Sequence, residues 1–134
     1  MLDVALHMDE GLVHLKDVAE RQEISKKYLE HLVGRLEVDG LLRTVRGAGG
    51  GVALARPPSE VTMLDILHTL EGFLAPVECV GRPEVCSRSV NCEARDLWTE
   101  LGAVMTGFLG SVTLQDLCER QKGRDEPAAL TYHI

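Results

Sequence analysis

Residues 26–58, KKYLEHLVGRLEVDGLLRTVRGAGGGVALARPP, join an amphipathic helical pattern to a glycine-rich pair of strands. Apolar residues in the first part recur at the spacing of one helix face: Leu29, Leu32, Val33 and Leu36. The same spacing on the opposite face gives a polar row: Lys27, Glu30, His31 and Gly34. Such a helix is expected to bury its apolar side in a core and to present the polar row outward.

The second part of this stretch predicts a β-hairpin. Two short apolar runs, 41–45 and 52–55, flank the tip sequence GAGGG, and a Pro-Pro pair closes the segment. Arginines surround the tip: Arg43, Arg46 and Arg56. A nucleotide-phosphate loop is the alternative reading of the glycines. It is rejected because no Lys-Ser/Thr pair follows and the G-x-G-x-x-G spacing before a helix is missing.

The segment before this stretch predicts a second, shorter helix over 15–22, followed by a tight turn. Ser25 is suited to cap the N-terminus of the helix that begins at 26. Two short helices joined by a turn fit a helix-turn-helix, and a basic hairpin directly after them completes the winged-helix plan. In that plan the second helix enters the major groove of DNA, and a wing arginine reaches a neighbouring minor groove.

Charge is distributed unevenly along the chain. The net charge is −7, yet residues 21–56 carry +3, whereas residues 1–20 carry −4 and residues 57–134 carry −6. A basic segment between acidic ones indicates a surface for a polyanion. A solvated face is the alternative, and charge alone does not decide between the two.

The region after the hairpin is helical again. Residues 62–72 predict a helix with a Thr62–Asp65 capping pair and a stop at Gly72. Its expected buried stripe is Met63, Ile66, Leu67 and Leu70. A short helix is expected over 113–121, in which Cys118 is a small buried apolar residue.

A long apolar stripe begins after residue 93. Its members are Ala94, Leu97, Trp98, Leu101, Val104, Met105, Phe108 and Leu109. A stripe of about five turns exceeds what one small winged-helix core can cover. A second copy of the same helix is the expected cover, so the sequence predicts a homodimer.

Three cysteines lie close together in CVGRPEVCSRSVNC, residues 79–92. The segment has no periodicity and contains proline and glycine, so it predicts a loop.

No secretory signal and no apolar run of membrane-spanning length are found, so these thiols are expected to be reduced and the protein is not expected in a membrane. Three thiols with six and five residues between them favour an iron–sulfur cluster first. A cluster-free thiol sensor or a degenerate site comes second, and zinc, which prefers closer pairs, third.

Catalysis is not predicted. The five histidines are scattered, and no nucleophile and base occur at a recognisable spacing. A small iron–sulfur electron carrier would be a rival function, but a carrier needs neither the polar row nor the wing.

The run YLEHLVGRLEVDGLLRTVRGAGGGVALARPP, followed by APVECV, the three cysteines and RDLW, resembles the Rrf2 family of winged-helix transcriptional regulators. The resemblance extends from about Leu2 to about Glu119, and its most specific parts are the VRGxxGG wing and the cysteine loop before a long helix. It implies a cytoplasmic, homodimeric DNA-binding protein that reads a palindromic operator. It also implies that Cys79, Cys86 and Cys92 hold a [2Fe–2S] or [4Fe–4S] cluster that sets DNA affinity. Control by thiols alone or by a partner protein is the alternative.

The resemblance assigns roles to residues of this chain. Lys27, Glu30 and His31 would form the base-reading row, and Arg46 would enter the minor groove. Lys26, Lys27 and Arg43 are expected to contact phosphates. The fold is expected to be mainly α with a small β-hairpin wing. The expected division is a winged helix-turn-helix over 1–58, a cysteine loop and dimerisation helix over 59–122, and a flexible tail over 123–134.

Three departures from the family pattern are visible. The first helix of the family usually begins well before the position of Met1 in this sequence. A branch of the family has a histidine as fourth cluster ligand three residues after the last cysteine, where this chain has Arg95. The turn between the two helices often carries glycine, and here it carries Glu23, which would be strained if the position needs a positive φ.

Overall fold

Seven α-helices and one β-hairpin form residues 1–125, the part of the chain that the computed structural model describes. The helices are α1 (Leu2–Leu6), α2 (Leu15–Arg21), α3 (Lys26–Val38), α4 (Met63–Glu71), α5 (Glu78–Gly81), α6 (Glu93–Ser111) and α7 (Leu114–Asp125). The strands are β1 (Leu42–Val45) and β2 (Gly51–Leu54). Within residues 1–125, no helix combines the length and the apolar character needed to cross a membrane.

Helices α2 and α3 form the predicted helix-turn-helix. The Ser25 side chain accepts a hydrogen bond from the Tyr28 backbone N–H at 3.1 Å, which confirms the predicted cap of α3. Glu23 in the turn has φ 52°, so the expected strain of a non-glycine residue at this position is present. The apolar face of α3 packs into the core as predicted, with Leu29, Val33 and Leu36 buried and Leu32 half-buried.

Strands β1 and β2 pair antiparallel, with Leu42 opposite Leu54 and Val45 opposite Gly51. Glycine is required at the tip: Gly47 has φ 106°, and a Cβ on Gly50 would collide with the Val45 carbonyl oxygen. The glycines therefore shape a hairpin, which agrees with rejecting a phosphate loop. Val13 pairs with Val52 through two backbone hydrogen bonds of 2.9 and 2.8 Å and adds a third short segment to the sheet.

Helices α4 and α7 begin side by side with the same capping chemistry. Thr62 and Asp65 form the predicted capping box, and Thr113 and Asp116 repeat it with bonds of 2.8 and 3.1 Å. The two starts are joined by backbone bonds from Met63 N–H to the Val112 oxygen at 2.9 Å and from Leu114 N–H to the Val61 oxygen at 2.8 Å.

The core continues across residue 58, because the buried cluster includes Val61, Ile66, Leu114 and Cys118 together with the helix-turn-helix. On α4 the structure buries Ile66 fully, whereas the other predicted stripe residues are half-buried because α4 lies between α3 and α6 at the edge of the core. Helix α7 extends to Asp125, so residues 123–125 belong to a helix and not to the expected tail. A bond between Gln121 and Asp125 supports this last turn, and residues 126–134 lie outside the described part.

Helix α6 follows the cysteine loop and is mostly uncovered. It has 19 residues, of which one, Gly102, is buried. Large apolar side chains of the predicted stripe are exposed, among them Leu97 at 59%, Val104 at 68% and Phe108 at 63%. The helix packs against α4 and α5 on one side and leaves the stripe exposed on the other, except for Leu109, which is half-buried.

Candidate nucleic-acid interface and cysteine loop

The polar row of α3, defined as Lys27, Glu30, His31 and Gly34, is exposed along its whole length. The Lys26 Nζ lies 3.7 Å from a Glu30 carboxylate oxygen, and both side chains are more than half exposed. An exposed pair of this kind contributes little to stability, so either member is free to exchange its partner for a ligand.

A cleft of about 480 Å³ lies between α3, the start of α2 and the hairpin, and is called the wing cleft below. Three residues predicted to contact DNA line it: Lys26, Glu30 and Arg46. His14 and Lys16 line it as well, which the sequence analysis missed. Their position follows from the pairing of Val13 with β2, which places the start of α2 beside the wing. The wing cleft therefore gathers basic side chains from three separate segments.

A second groove of about 500 Å³ runs on the other side of the polar row. Glu30, His31 and Gly34 line it together with Arg35 and Thr69 of α4. The Thr69 hydroxyl donates to an Asp39 carboxylate oxygen at 2.7 Å, which ties α4 to the end of α3. Glu30 borders both grooves, so it occupies the centre of the face.

Arg43 is separated from this face. Its neighbour Thr44 turns toward α3, where its backbone N–H donates to the Glu37 carboxylate at 3.1 Å. Because side chains alternate along a strand, Arg43 projects from the opposite side of the hairpin. Arg43 is exposed but does not line the wing cleft, whereas Lys27 lies on the polar row itself.

An ion pair between the buried Asp3 and the partly exposed Arg21 fixes the base of the helix-turn-helix. Asp3 of α1 is 8% exposed and accepts bonds from Arg21 Nη2 at 2.6 Å and Arg21 Nε at 3.0 Å. Gln22 donates to the same carboxylate at 2.9 Å. The hydrogen bond from Arg21 is the main reason that the pKa of Asp3 lies below its usual range. The end of α2, where the turn begins, is thus attached to α1.

The three cysteines lie at the start, in the middle and at the end of the segment 79–92, called the cysteine loop. Cys79 lies in α5, Cys86 follows a short 3₁₀ turn at Pro83–Val85, and Cys92 directly precedes α6. All three thiols are free and half-buried. Their carbonyl oxygens are engaged: that of Cys86 by Ser89 N–H at 3.1 Å, that of Cys92 by Asp96 N–H at 3.2 Å, and that of Cys79 by Arg95 Nε at 2.9 Å.

The described residues do not bring a complete ligand set together. Within residues 1–125, no three His, Cys, Asp or Glu side chains lie close enough to hold a metal ion. The donor chemistry nevertheless fits an iron–sulfur cluster, because three free thiols share one loop and remain partly accessible. Cys118 differs: it is 5% exposed, and burial raises the pKa of its thiol, which agrees with a packing role.

An exposed polar second helix, followed by a hairpin that carries an arginine at its tip, defines a winged-helix DNA-binding regulator. The chain belongs to the Rrf2 family: the family model, described as an iron-dependent transcriptional regulator, matches residues 1–120.

Individual relatives agree with this assignment. The HTH-type transcriptional regulator IscR of Photorhabdus laumondii is 42% identical over 125 residues, which are 93% of this chain and 76% of the relative. The solved structure of T. potens IscR has a TM-score of 0.75 at 34% identity and covers 92% of this chain and 81% of that one. CymR, the global cysteine regulator of B. subtilis, has a TM-score of 0.74 at 35% identity and covers 89% and 87%. These relatives are transcriptional regulators and not enzymes.

Proposed function

We propose that the chain is a cytoplasmic, homodimeric repressor whose affinity for a palindromic operator is controlled by an iron–sulfur cluster on Cys79, Cys86 and Cys92. The observation that carries this proposal is the course of α6. The helix begins directly after Cys92 and ends at Ser111, and the carbonyl of the next residue, Val112, is bonded to the start of α4 in the core of the winged helix. One rigid element of about 28 Å therefore connects the thiols to the DNA-binding core.

The DNA contacts follow from the two sides of the α3 face. Glu30 and His31 would read base edges in the major groove, with Arg46 in the adjacent minor groove. Lys26 and Lys27 would contact phosphates, and Lys16 and His14 join them because they line the same wing cleft. Arg43, on the far side of the hairpin, would contact a phosphate only where the DNA bends around the wing.

Dimerisation is supported by the uncovered side of α6. The residues Ala94, Trp98, Leu101, Met105 and Phe108 are spaced alternately four and three apart, which is the seam of a two-helix coiled coil. Large contiguous apolar patches on a protein surface mark interaction sites. Two copies of α6 would cover each other and would hold two α3 helices at the spacing of two operator half-sites.

When bound, an iron–sulfur cluster would make the protein responsive to redox state or to small ligands. The chain offers three thiolates for it, and Arg95 cannot serve as the fourth ligand because its guanidinium has no free lone pair. A site with three thiolates and one weaker or exchangeable ligand suits a sensor. Loss of such a group would release the loop at the first turn of α6.

A regulator controlled by its thiols alone, or by a partner protein, is the second candidate. It is favoured by the separation of the three cysteines from any complete ligand group within residues 1–125. The similarity to CymR is compatible with it.

Anaerobic reconstitution with iron and sulfide separates the two candidates. We expect bound iron and sulfide, a visible absorption band, and a change in operator affinity measured by fluorescence anisotropy. Cys79→Ala, Cys86→Ala and Cys92→Ala should each abolish cluster binding, and Cys118→Ala, the matched control, should retain it. A wild-type protein that binds operator but never acquires iron and sulfide would instead favour the thiol-controlled regulator.

A further inference from the structure

Arg95 closes the cysteine loop. Its Nε donates to the carbonyl oxygen of Cys79 at 2.9 Å, a contact between residues sixteen positions apart. Arg95 lies in the first turn of α6, three residues after Cys92, and is half-buried. The bond therefore joins the segment of the first cysteine to the helix that starts at the last one.

The segment around Cys79 depends on such outside support. Helix α5 has four residues and no side-chain cap, and a helix this short does not persist by itself. On one side, Gly81 lies against the Phe73 ring, where a Cβ would come within 2.5 Å of Cδ1. Arg95 supplies the polar attachment to α6.

The other arginine bonded within this segment acts differently. Arg82 contacts Glu78 at 2.8 Å and Glu84 at 3.4 Å, but all three side chains are about two-thirds exposed. Exposed pairs of this kind contribute little. Arg82 also leaves the Cys79 carbonyl untouched, so it offers a charge-matched comparison for Arg95.

We propose that Arg95 is a positioning residue that holds Cys79 beside the first turn of α6 and keeps a permanent positive charge where the cysteine loop closes. This inference rests on the proposed function in one respect, namely that the three cysteines act as one site. In place of a fourth ligand, Arg95 contributes geometry and charge. A cation near an iron–sulfur cluster stabilises its reduced form and raises the reduction potential.

The first measurement uses the reduced protein without iron. The rate at which iodoacetamide alkylates each cysteine is followed by peptide mass spectrometry. Each rate is divided by the thiolate fraction obtained from its pH dependence, so that the lost charge does not enter the comparison. Arg95→Ala should then increase the rate at Cys79 about fivefold, the opening expected from the loss of one net hydrogen bond. Cys118 should not change, Arg95→Lys should restore most of the protection, and Arg82→Ala should match the wild type.

The second measurement uses the reconstituted protein. Arg95→Ala and Arg95→Gln should both lower the midpoint potential, because both remove the charge, and Arg95→Ala should lose iron to a chelator faster because it also removes the hydrogen bond. Arg95→Lys should keep the wild-type potential. If Arg95→Ala disturbs folding, the Gln and Lys variants carry the comparison.

The outcomes separate this inference from the proposed function. Unchanged Cys79 alkylation and unchanged potential in folded Arg95 variants would overturn the role of Arg95, even if the cluster forms normally. A wild-type protein that takes up no iron and sulfide would defeat the proposed cluster, while faster alkylation of Cys79 in Arg95→Ala would still support the positioning role.

Discussion

The winged helix and the α6 region differ in how completely their apolar side chains are buried. In the winged helix, Leu41 and Val52 are each 1% exposed, and every strand and helix contributes to one core. In α6, Leu97 is 59% exposed and one residue of 19 is buried. The difference teaches that the first region is folded by its own contacts, whereas the second leaves an apolar stripe that the proposed dimer would cover.

The two regions meet at the paired starts of α4 and α7. Val61 is completely buried there, and the capping boxes at Thr62 and Thr113 satisfy the backbone groups of both helices. The end of α6 is therefore fixed to the core, while its beginning depends on the cysteine loop. A signal at the thiols would act on the weakly held end of the helix.

The largest effect is expected from a charged residue placed in the apolar stripe of α6. Leu101→Glu places a carboxylate in the middle of the proposed α6 seam, where an unpaired buried charge costs about 3–5 kcal/mol. We expect a monomer by light scattering and a loss of operator binding of more than about a hundredfold. Val38→Glu is the control, because this apolar side chain on α3 is 86% exposed. Its molecular mass by light scattering should remain that of a dimer. A wild-type protein that is already a stable monomer would contradict the prediction.

Truncating one apolar residue in each region should change the free energy of unfolding by very different amounts. Leu41→Ala should lower the free energy of unfolding by about 2–5 kcal/mol because it leaves a cavity in the core. Leu97→Ala, made in the monomeric Leu101→Glu background so that the partner is removed, should change it by less than about 0.5 kcal/mol. Urea unfolding followed by circular dichroism measures both, and equal losses would show that α6 is packed within one chain.

The DNA face should respond to smaller changes. Arg46→Ala should weaken operator binding by about 1–3 kcal/mol, and Glu30→Ala should alter the preference among operator sequences more than the total affinity. Lys16→Ala should reduce the slope of log affinity against log salt by about 1, because Lys16 would lose a phosphate contact. Glu100→Ala on α6 serves as the control. Unchanged titrations for Arg46→Ala and Glu30→Ala together would remove these residues from the interface.

The smallest expected effect is the change with pH in the stability that Asp3 contributes. Because the folded-state pKa of Asp3 lies below that of the unfolded chain, its contribution to stability is complete above the unfolded value and is lost as the pH falls through the folded one. Asp3→Asn should therefore cost about 1 kcal/mol at neutral pH, allowing for the partly exposed Arg21, and progressively less as the pH falls below the ordinary pKa of an aspartate. Urea midpoints of both proteins across this range provide the measurement. A constant difference would mean that the carboxylate charge does not matter.

Much of the helix-turn-helix could be predicted because its signals are local. The Ser25 cap, the strained Glu23 and the Thr62–Asp65 box each depend on residues within one helical turn. The expected end of α7 at residue 121 is too early, since Gly123 and the polar residues before it permit the helix to continue to Asp125. The assignment of the cysteines and of the DNA contacts stays a prediction.

By itself, the sequence determined where α2, α3, α4 and the hairpin form, because periodicity, caps and glycines act over a few neighbouring residues. It predicted a loop where the short helix α5 forms, because four residues give no readable periodicity. It also predicted that the α6 stripe is longer than one core needs. Only the tertiary structure decided that Val13 pairs with the wing and brings His14 and Lys16 into the wing cleft, that Thr62 meets Thr113, and that Arg95 reaches Cys79. These contacts join residues far apart in the chain, and no local preference encodes them, since they arise when separate elements bury their apolar faces in one core.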